Sequence, residues 1–314
     1  MYGEIRLFSG SANPDLAQEI ADYLGVPLSG RDIIRFPNEN IFVRLHRSVR
    51  GQDVFVIQTM CSPVNDNIME LLIMLDTLKR ASADRITAVV PYYAYARSDK
   101  KDQPRVPITA RLLADLITVA GANRYMTIDL HAGQIQGFFG IPGDELTAFH
   151  LLSDYFLQKD LSNTVVVSVD LGFAKRARNF ARKFHVPLAF IEKRRSRDDP
   201  QVEVLTIIGD VKGKDVIIVD DEVDTGSSLT KAVNILKEHG AADIYACFTH
   251  PVFSPPAIER LRHAPIKEIV TTNTIPIPPE KMLPNITVLS VAPLLGEVIR
   301  RTHLGISVGE MFNE

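Results

Sequence analysis

Only two cysteines, Cys61 and Cys247, occur in 314 residues, without C-x-x-C spacing, and each lies in or beside an apolar segment. Small buried thiols are expected there, which suits a reducing cytoplasm. No uninterrupted apolar run approaches the roughly 18 residues of a membrane span. The N-terminal MYGEIRLFSGS carries charge within its first six residues and lacks the apolar core of a signal peptide. A soluble cytoplasmic protein with no membrane partner is therefore predicted. Excess charge of one sign is also missing: 35 Lys plus Arg face 38 Asp plus Glu, a net charge of −3. That balance offers no general basic field for nucleic acid, so any anion site must be local. No G-x-x-x-x-G-K-[ST] occurs, and no G-x-G-x-x-G follows a strand pattern. A nucleoside triphosphate, if bound, is held without a P-loop.

What is present is an alternation of short apolar runs with helical patterns, the mark of α/β folds with parallel sheets. A length of 314 residues and a hydrophobic fraction of 46% allow two domains with separate cores. In the first half, strands are predicted at Ile5 to Phe8, Asp53 to Ile57, Ile86 to Val90 and Arg124 to Ile128. Helices are predicted from the Asn13-Pro14 start to Leu24, over Val64 to Arg80 and over Ile108 to Val119. The polar stretch Gly140 to Thr147 interrupts the pattern and sets the predicted boundary, giving domains 1–146 and 147–314, with the extreme C-terminus free to pack on the first. The second half reads as strands at Val165 to Val169, Leu188 to Ile191, Val216 to Val219, Ile244 to Phe248 and Glu268 to Val270. Its helices are Phe173 to Phe184, Ser228 to Leu236 and Pro293 to Arg301.

The most informative run is Val216 to Leu229, VIIVDDEVDTGSSL. A β-branched strand, buried on both faces as in a parallel sheet, precedes a predicted loop from Asp220 to Ser227 and then a helix. Ligands of open α/β sheets bind at such carboxyl ends, and the N–H groups of the next helix attract phosphate. Thr225, Gly226, Ser227 and Ser228 supply hydroxyls and backbone donors, while Asp220 and Asp221 would repel a phosphate that faced them. Placed further along the ligand, the two acids could accept from a vicinal diol or hold Mg²⁺. A ribose 5-phosphate has that polarity. The plainer alternative is that Asp and Ser end a strand and cap a helix.

Three further runs bear chemistry. Pro91 to Arg105, PYYAYARSDKKDQPR, sets aromatic residues beside Arg97, Lys100, Lys101 and Arg105, a composition able to clamp a base and meet phosphate. A solvated loop would look nearly as basic. Ile128 to Phe139, IDLHAGQIQGFF, puts Asp129 and His131 at another strand end, and Val165 to Asp170 also ends in an acid. Such a donor set is too small to cage Mg²⁺, which keeps water and takes further ligands from phosphate. Glu192 to Pro200, EKRRSRDDP, is charged enough to be a mobile loop. Between two ligand-binding strand ends, it could close Lys193 and Arg195 onto phosphoryl groups.

Together, RFPNEN at Arg35 to Asn40, NDNIMELLIMLDTLKRASA at Asn65 to Ala83, the PYYAYAR loop, DLHAGQIQGFF, EKRR and VDDEVDTGSS resemble class I ribose-phosphate pyrophosphokinases in order and spacing over nearly the whole length. The resemblance implies two phosphoribosyltransferase-like domains, each a mostly parallel sheet flanked by helices, in a homo-oligomer that is a hexamer built from dimers. It implies transfer of the diphosphoryl group of ATP to the C1 hydroxyl of ribose 5-phosphate, with Mg²⁺ as cofactor. By the same resemblance, Lys193 and Arg195 stabilise the transition state, while His131 and Asp170 attend the metal and nucleotide. Asp220, Asp221, Asp224, Thr225, Gly226, Ser227 and Ser228 match the ribose 5-phosphate site. On the nucleotide side, Arg97 with Ser98 and Asp99 meets Phe36, Asn38, Glu39 and Asn40, the Phe36 ring reaching over from a neighbouring subunit. Ser48, Arg50, Ser82, Ser307 and Phe312 fit a regulatory phosphate and ADP site.

The chain also departs from that pattern. Pro37-Asn38-Glu39-Asn40 replaces the usual Ser-Asp-Gly-Glu, Ser98 replaces Gln, Pro104 replaces a frequent Ser, and Ser227 replaces Gly. Amides donate as well as accept, so relaxed base selection is expected. Two rival functions remain open on sequence: a non-catalytic regulatory paralogue and a type I phosphoribosyltransferase.

Overall fold

A computed structural model of the chain describes residues 3–169, 171–195 and 203–311, with only the backbone described at 171, 193–195, 203, 204 and 310. It divides into two units: the described residues of 1–147, 274–276 and 290–313, and those of 148–273 and 277–289.

Unit 1 contains β1 (Ile5–Ser9), α1 (Pro14–Leu24), β2 (Arg31–Arg35), β3 (Ile41–Leu45), β4 (Asp53–Ile57), α2 (Val64–Arg80), β5 (Arg85–Val90), α3 (Thr109–Ala120), β6 (Arg124–Ile128) and β7 (Gly143–Leu146). The apolar runs pair as predicted into an all-parallel sheet in the order β1-β4-β5-β6-β7. Val54, Phe55, Val56, Ala88 and Val89 are buried, because helices cover such a sheet and both faces of its strands must be apolar. The start of α1 is as read. Asn13 accepts from the Leu16 N–H at 3.3 Å, Pro14 follows, and Gly25 closes the helix in the left-handed region at φ 66°.

Two features of unit 1 differ from the sequence reading. The Gly140 to Thr147 stretch is not a mere interruption, since its last part forms β7 at the sheet edge; Gly143 admits the Tyr125 ring where a Cβ would meet it at 2.0 Å. RFPNEN is the tip of an unpredicted antiparallel hairpin, β2 with β3, which alternation could not announce because three of its ten strand positions are cationic and few are buried.

The final helix, α8 (Ala292–Leu304), packs on α1 in unit 1, although sequence order would leave it with the second domain. Gly296 allows this approach, since a Cβ there would meet Tyr23 Cδ1 at 2.4 Å. At its far end, buried Asp53 takes Arg85 through Nε at 2.8 Å and Nη2 at 2.5 Å, and His303 Nδ1 lies 2.8 Å from the same carboxylate. Arg85 also donates to the Thr302 carbonyl at 3.1 Å.

Unit 2 contains α4 (Phe149–Phe156), β8 (Thr164–Ser168), α5 (Ala174–Phe184), β9 (Leu188–Arg195), β10 (Glu203–Ile208), β11 (Asp215–Val223), α6 (Ser227–Glu238), β12 (Ile244–Pro251), α7 (Ala257–His263), β13 (Glu268–Thr272) and β14 (Ile286–Leu289). Its seven strands lie in the order β10-β9-β8-β11-β12-β13-β14, parallel except for β10 on β9. Winding runs outward from β8 to β9, then restarts on the other side with β11. The pair β8 and β11 is therefore a topological switch point, where helices leave in opposite directions and a crevice opens at the carboxyl ends. Val165, Val167, Val216 and Ile218 share a core with Leu229, Val233 and Leu236 of α6. Both units are thus α/β, with mostly parallel sheets flanked by helices.

Within α8, hydrogen bonds from Arg300 and Arg301 hold the Glu297 carboxyl down at about 2. A carboxyl depressed below its unfolded value of about 4.3 contributes stability above that pH and loses it as pH falls toward the folded value. The melting-temperature difference between wild type and Glu297→Gln is expected to be full at pH 6 to 7, to shrink below about pH 4.5 and to vanish near pH 2. A difference independent of pH in thermal scans would refute this.

Candidate active-site residues

At the switch point of unit 2, β11 is longer than its sequence pattern indicates. It runs to Val223, so Asp220, Asp221 and Glu222 are strand residues rather than loop residues. Pairing with β12 keeps them extended, through Asp220–Phe248, Glu222–His250 and Val223–Pro251. On the other side, pairing with β8 ends at Val219–Ser168, so Asp220 onward projects past β8 at the carboxyl edge. Alternation turns Asp220 and Asp221 to opposite faces, with Asp220 half-buried and Asp221 buried. The Asp221 N–H donates to Asp220 Oδ1 at 3.0 Å, holding that carboxylate over the strand end.

Asp224 and Thr225 form the turn into α6, and Gly226 is the N-cap at φ 72°, where only glycine is unstrained. A Ser or Asp cap would use its own oxygen on the first-turn N–H groups. Gly226 provides no such acceptor and no side-chain cap bond is made, so the first turn of α6 is suited to an anion. Ser227 is half-buried and Ser228 exposed on the first turn. Arg260 of α7 donates to the Thr225 carbonyl at 2.9 Å and pins the turn. Nothing local in sequence marks Arg260, which lies 35 residues downstream.

In unit 1 the described strands wind in one direction, without a switch point, and the candidate residues that follow β5 and β6 lie along one carboxyl edge. After β5, the three tyrosines of PYYAYAR take different roles. Tyr93 is core, its hydroxyl donating to the Ala110 carbonyl at 2.9 Å, and it is therefore no base clamp. Tyr95 is exposed in the left-handed region and donates to Asn65 Oδ1 at 2.6 Å. Arg97 is exposed. Ser98 Oγ accepts from the Thr109 N–H at 3.2 Å and so serves the start of α3. Asp99 is buried and accepts from Gln134 Nε2.

After β6, Asp129 is buried at φ 41°, its N–H bonded to the Leu146 carbonyl at 2.9 Å. His131 is exposed just beyond. Glu145 of β7, a residue the sequence reading missed, holds this segment: Oε1 accepts from the Leu130 N–H at 3.0 Å and Oε2 from Gln136 Nε2. Phe139 stacks on Tyr125 at 3.7 Å, and burial pushes the Tyr125 phenol up to about 12, so the hydroxyl stays protonated.

Phe36, Asn38, Glu39 and Asn40 form the exposed tip of the β2–β3 hairpin. The Glu39 N–H donates to the Phe36 carbonyl at 2.8 Å, and the Asn40 N–H to Asn38 Oδ1 at 3.2 Å. Phe36 is 45% exposed and lies 6.2 Å from the equally exposed Phe42. Of the residues matched to regulation, Ser48 Oγ accepts from the Arg50 N–H at 3.3 Å, the Ser82 carbonyl from the Gly51 N–H at 3.0 Å, and Ser307 Oγ from the Gly309 N–H at 3.2 Å. Phe312 lies outside the described residues.

EKRR is strand rather than loop: β9 continues to Arg195 and pairs with β10 through Lys193–Leu205 and Arg195–Glu203. A charged run can stay extended when it forms one arm of an edge hairpin. The side chains of Lys193 and Arg195, and all of Asp170, lie outside what is described. Among the described residues no group of three His, Cys, Asp or Glu side chains is placed to hold a metal alone.

Residues 5–121 match the pattern of the N-terminal domain of ribose phosphate pyrophosphokinase, and residues 193–313 that of the phosphoribosyl synthetase-associated domain. The chain is 55% identical, over 98% of both proteins, to a ribose-phosphate pyrophosphokinase of Caldanaerobacter subterraneus subsp. tengcongensis. It is 53% identical to that of Clostridium acetobutylicum, covering 99% of this chain and 98% of the relative. Its fold matches the crystal structure of phosphoribosylpyrophosphate synthetase from Mycobacterium smegmatis with a TM-score of 0.92 at 46% identity, covering 96% of this chain and 99% of that one.

Removing Glu145 should loosen the His131 segment. In Glu145→Ala the Leu130 amide is expected to exchange at least about tenfold faster, since a hydrogen bond to a charged acceptor contributes about 1.5–3 kcal/mol. The Asp129 amide, bonded to Leu146, should keep its protection. Hydrogen exchange by NMR reads both, and unchanged exchange at Leu130 would refute the assigned role.

Proposed function

Because the chain belongs to the ribose-phosphate pyrophosphokinase family, we propose that its two units divide one reaction between a sugar-phosphate half and a nucleotide half. The reaction transfers the diphosphoryl group of ATP to the C1 hydroxyl of ribose 5-phosphate, giving 5-phosphoribosyl 1-diphosphate and AMP. The C1 oxygen bonds to the β-phosphorus, the α–β bridge breaks toward AMP, and the hydroxyl proton is lost.

The observation that supports the sugar assignment is the carboxyl edge of β11. The 5-phosphate sits on the first turn of α6, where Thr225, Gly226, Ser227 and Ser228 provide hydroxyls and N–H groups. Asp220, Asp221 and Asp224 lie before that turn, away from the phosphate; Asp220 and Asp224 accept from the ribose hydroxyls, and buried Asp221 backs the strand end. A sugar phosphate bound in this polarity keeps its anion from the acids and aims C1 out of the turn. In-line positioning of this kind supplies much of the acceleration in phosphoryl transfer, which needs no covalent intermediate.

On the nucleotide side, Arg97 stacks on the base, and Asp99 and Ser98 shape the loop that carries it. His131 and Asp170 are the residues that would hold Mg²⁺. The ion, when bound, draws negative charge from the triphosphate. Lys193 and Arg195 neutralise the charge that shifts to the bridging oxygen in the transition state. The active assembly is a homo-oligomer, a hexamer built from dimers, in which the exposed Phe36 hairpin tip of one subunit covers a neighbour's nucleotide. We assign the protein to the cytoplasm; no described helix is long and apolar enough to cross a membrane.

With ATP and ribose 5-phosphate and no nucleobase, AMP should appear in step with phosphoribosyl diphosphate. Lys193→Ala should lower that turnover by about two to three orders of magnitude, comparable to losing one transition-state donor, with oligomer size unchanged. Unaltered turnover would remove Lys193 from the chemistry, and no AMP from wild type would favour a non-catalytic paralogue.

Asn38 and Asn40 set the second test. Initial rates with ATP, GTP, CTP and UTP at equal concentration should differ by less than about 100-fold, because an amide accepts or donates as the base requires. Asn38→Asp with Asn40→Glu should sharpen preference for ATP. Strict ATP dependence of the wild type would exclude relaxed selection.

A further inference from the structure

The most cationic element of the chain is used by none of the chemistry above. Helix α5, AKRARNFARKF, carries Lys175, Arg176, Arg178, Arg182 and Lys183 and no acidic residue, in a protein whose net charge is −3. Its apolar face, Ala177, Phe180, Ala181 and Phe184, is buried, so the cations are gathered on the outside. Arg178, Arg182 and Lys183 line a recess of roughly 770 Å³ together with Asn179, His185 and His150. His150 comes from α4, and the Phe149–Phe180 edge contact at 4.7 Å ties that helix to α5 beneath the recess.

A plain structural account covers only part of this. Cations in the last turn of a helix offset its dipole, which explains Arg182 and Lys183. Mid-helix Arg178 and His150 on another helix gain nothing from that effect. Lys183 reaches Asp154 at 3.5 Å, but among the described residues neither Arg178 nor Arg182 forms an ion pair. Like charges one turn apart repel, so an arrangement of this kind is stabilised by an anion. The recess also falls within the roughly 300–1,000 Å³ of ligand sites.

We propose that this recess binds a diphosphate group, either free or as the end of a nucleoside diphosphate. Arg178 and Arg182 are four residues apart, about 6 Å along the helix, and each guanidinium fork matches one phosphoryl group. Lys183, His150 and His185 ring the remaining oxygens. The site is separate from the sugar-phosphate pocket of the same unit. Helix α5 leaves the carboxyl end of β8 and runs back to the start of β9, so Arg182 and His185 lie toward the amino edge of the sheet, opposite Asp220 to Ser228.

The test is isothermal titration of the full-length assembly with Mg²⁺, its catalytic site saturated with ribose 5-phosphate and a non-hydrolysable ATP analogue. Inorganic diphosphate, ADP and orthophosphate are titrated separately. With Arg50→Gln in every chain compared, so that the regulatory anion site expected around Ser48 and Arg50 is silent, the otherwise wild-type protein should bind one further equivalent of diphosphate or ADP per chain, and bind orthophosphate at least tenfold more weakly. Arg178→Gln with Arg182→Gln should weaken the bound anion at least tenfold while turnover at saturating substrate is unchanged; the double Lys variant should fall between. Tighter ADP than diphosphate identifies a nucleotide as the natural source, and the reverse identifies the free anion. No further equivalent in the otherwise wild-type protein, equal affinity in the Arg178→Gln, Arg182→Gln variant, or a change in its oligomer size by light scattering would overturn the proposal, the last because the face would then be a subunit contact.

Discussion

Where the direction of winding reverses between β8 and β11, the chain leaves two adjacent strands toward opposite faces and a crevice opens at their carboxyl ends. The buried length of β11 from Val216 to Val219 is apolar. Asp220, Asp221 and Glu222 follow past its last pair with β8, Val219–Ser168. The order acid, acid, turn, hydroxyl then follows from chain direction: carboxylates arrive on the strand, and phosphate donors arrive on the helix that follows. A sugar phosphate, anionic at one end and hydroxylated at the other, is the complement of that sequence of groups.

Holding such a turn in place needs more than the groups that meet a ligand. Gly226 sets its hand, Arg260 ties its carbonyl, and the Phe253 N–H donates to the Val223 carbonyl at 3.0 Å. Glu145 does the same for the His131 segment in unit 1. The Asp53–Arg85–His303 cluster fastens the last helix to the far edge of the unit 1 sheet. Removing Arg85 would leave the buried Asp53 carboxylate without its guanidinium, at about 3–5 kcal/mol. The segment from Ser290 on would then lose its seat on a unit with which it is not contiguous.

The long apolar strands and capped helices were legible because burial on both faces and cap chemistry leave marks within a few residues. Asn13-Pro14 and the Val216 run are examples, and their positions hold to within a few residues. The misses share a cause. The β2–β3 hairpin, β7 and the charged end of β9 are short or lie at edges, where one side of the ladder faces solvent and sequence need not be apolar. The tyrosines of PYYAYAR show the converse: composition suggested a ligand clamp, yet Tyr93 is consumed by the core.

Taken alone, the chain's residue order determined the class of fold, the identity of the acid and hydroxyl groups, and the family to which their spacing belongs. These depend on local pattern and on motifs whose chemistry is contained in a single loop. Which strand lies beside which, how far β11 extends, what pins each loop and where α8 docks were decided only by tertiary structure. Such contacts join residues tens to hundreds of positions apart, such as Arg260 with Thr225 and His303 with Asp53, and they form because packing brings together groups that no local pattern relates.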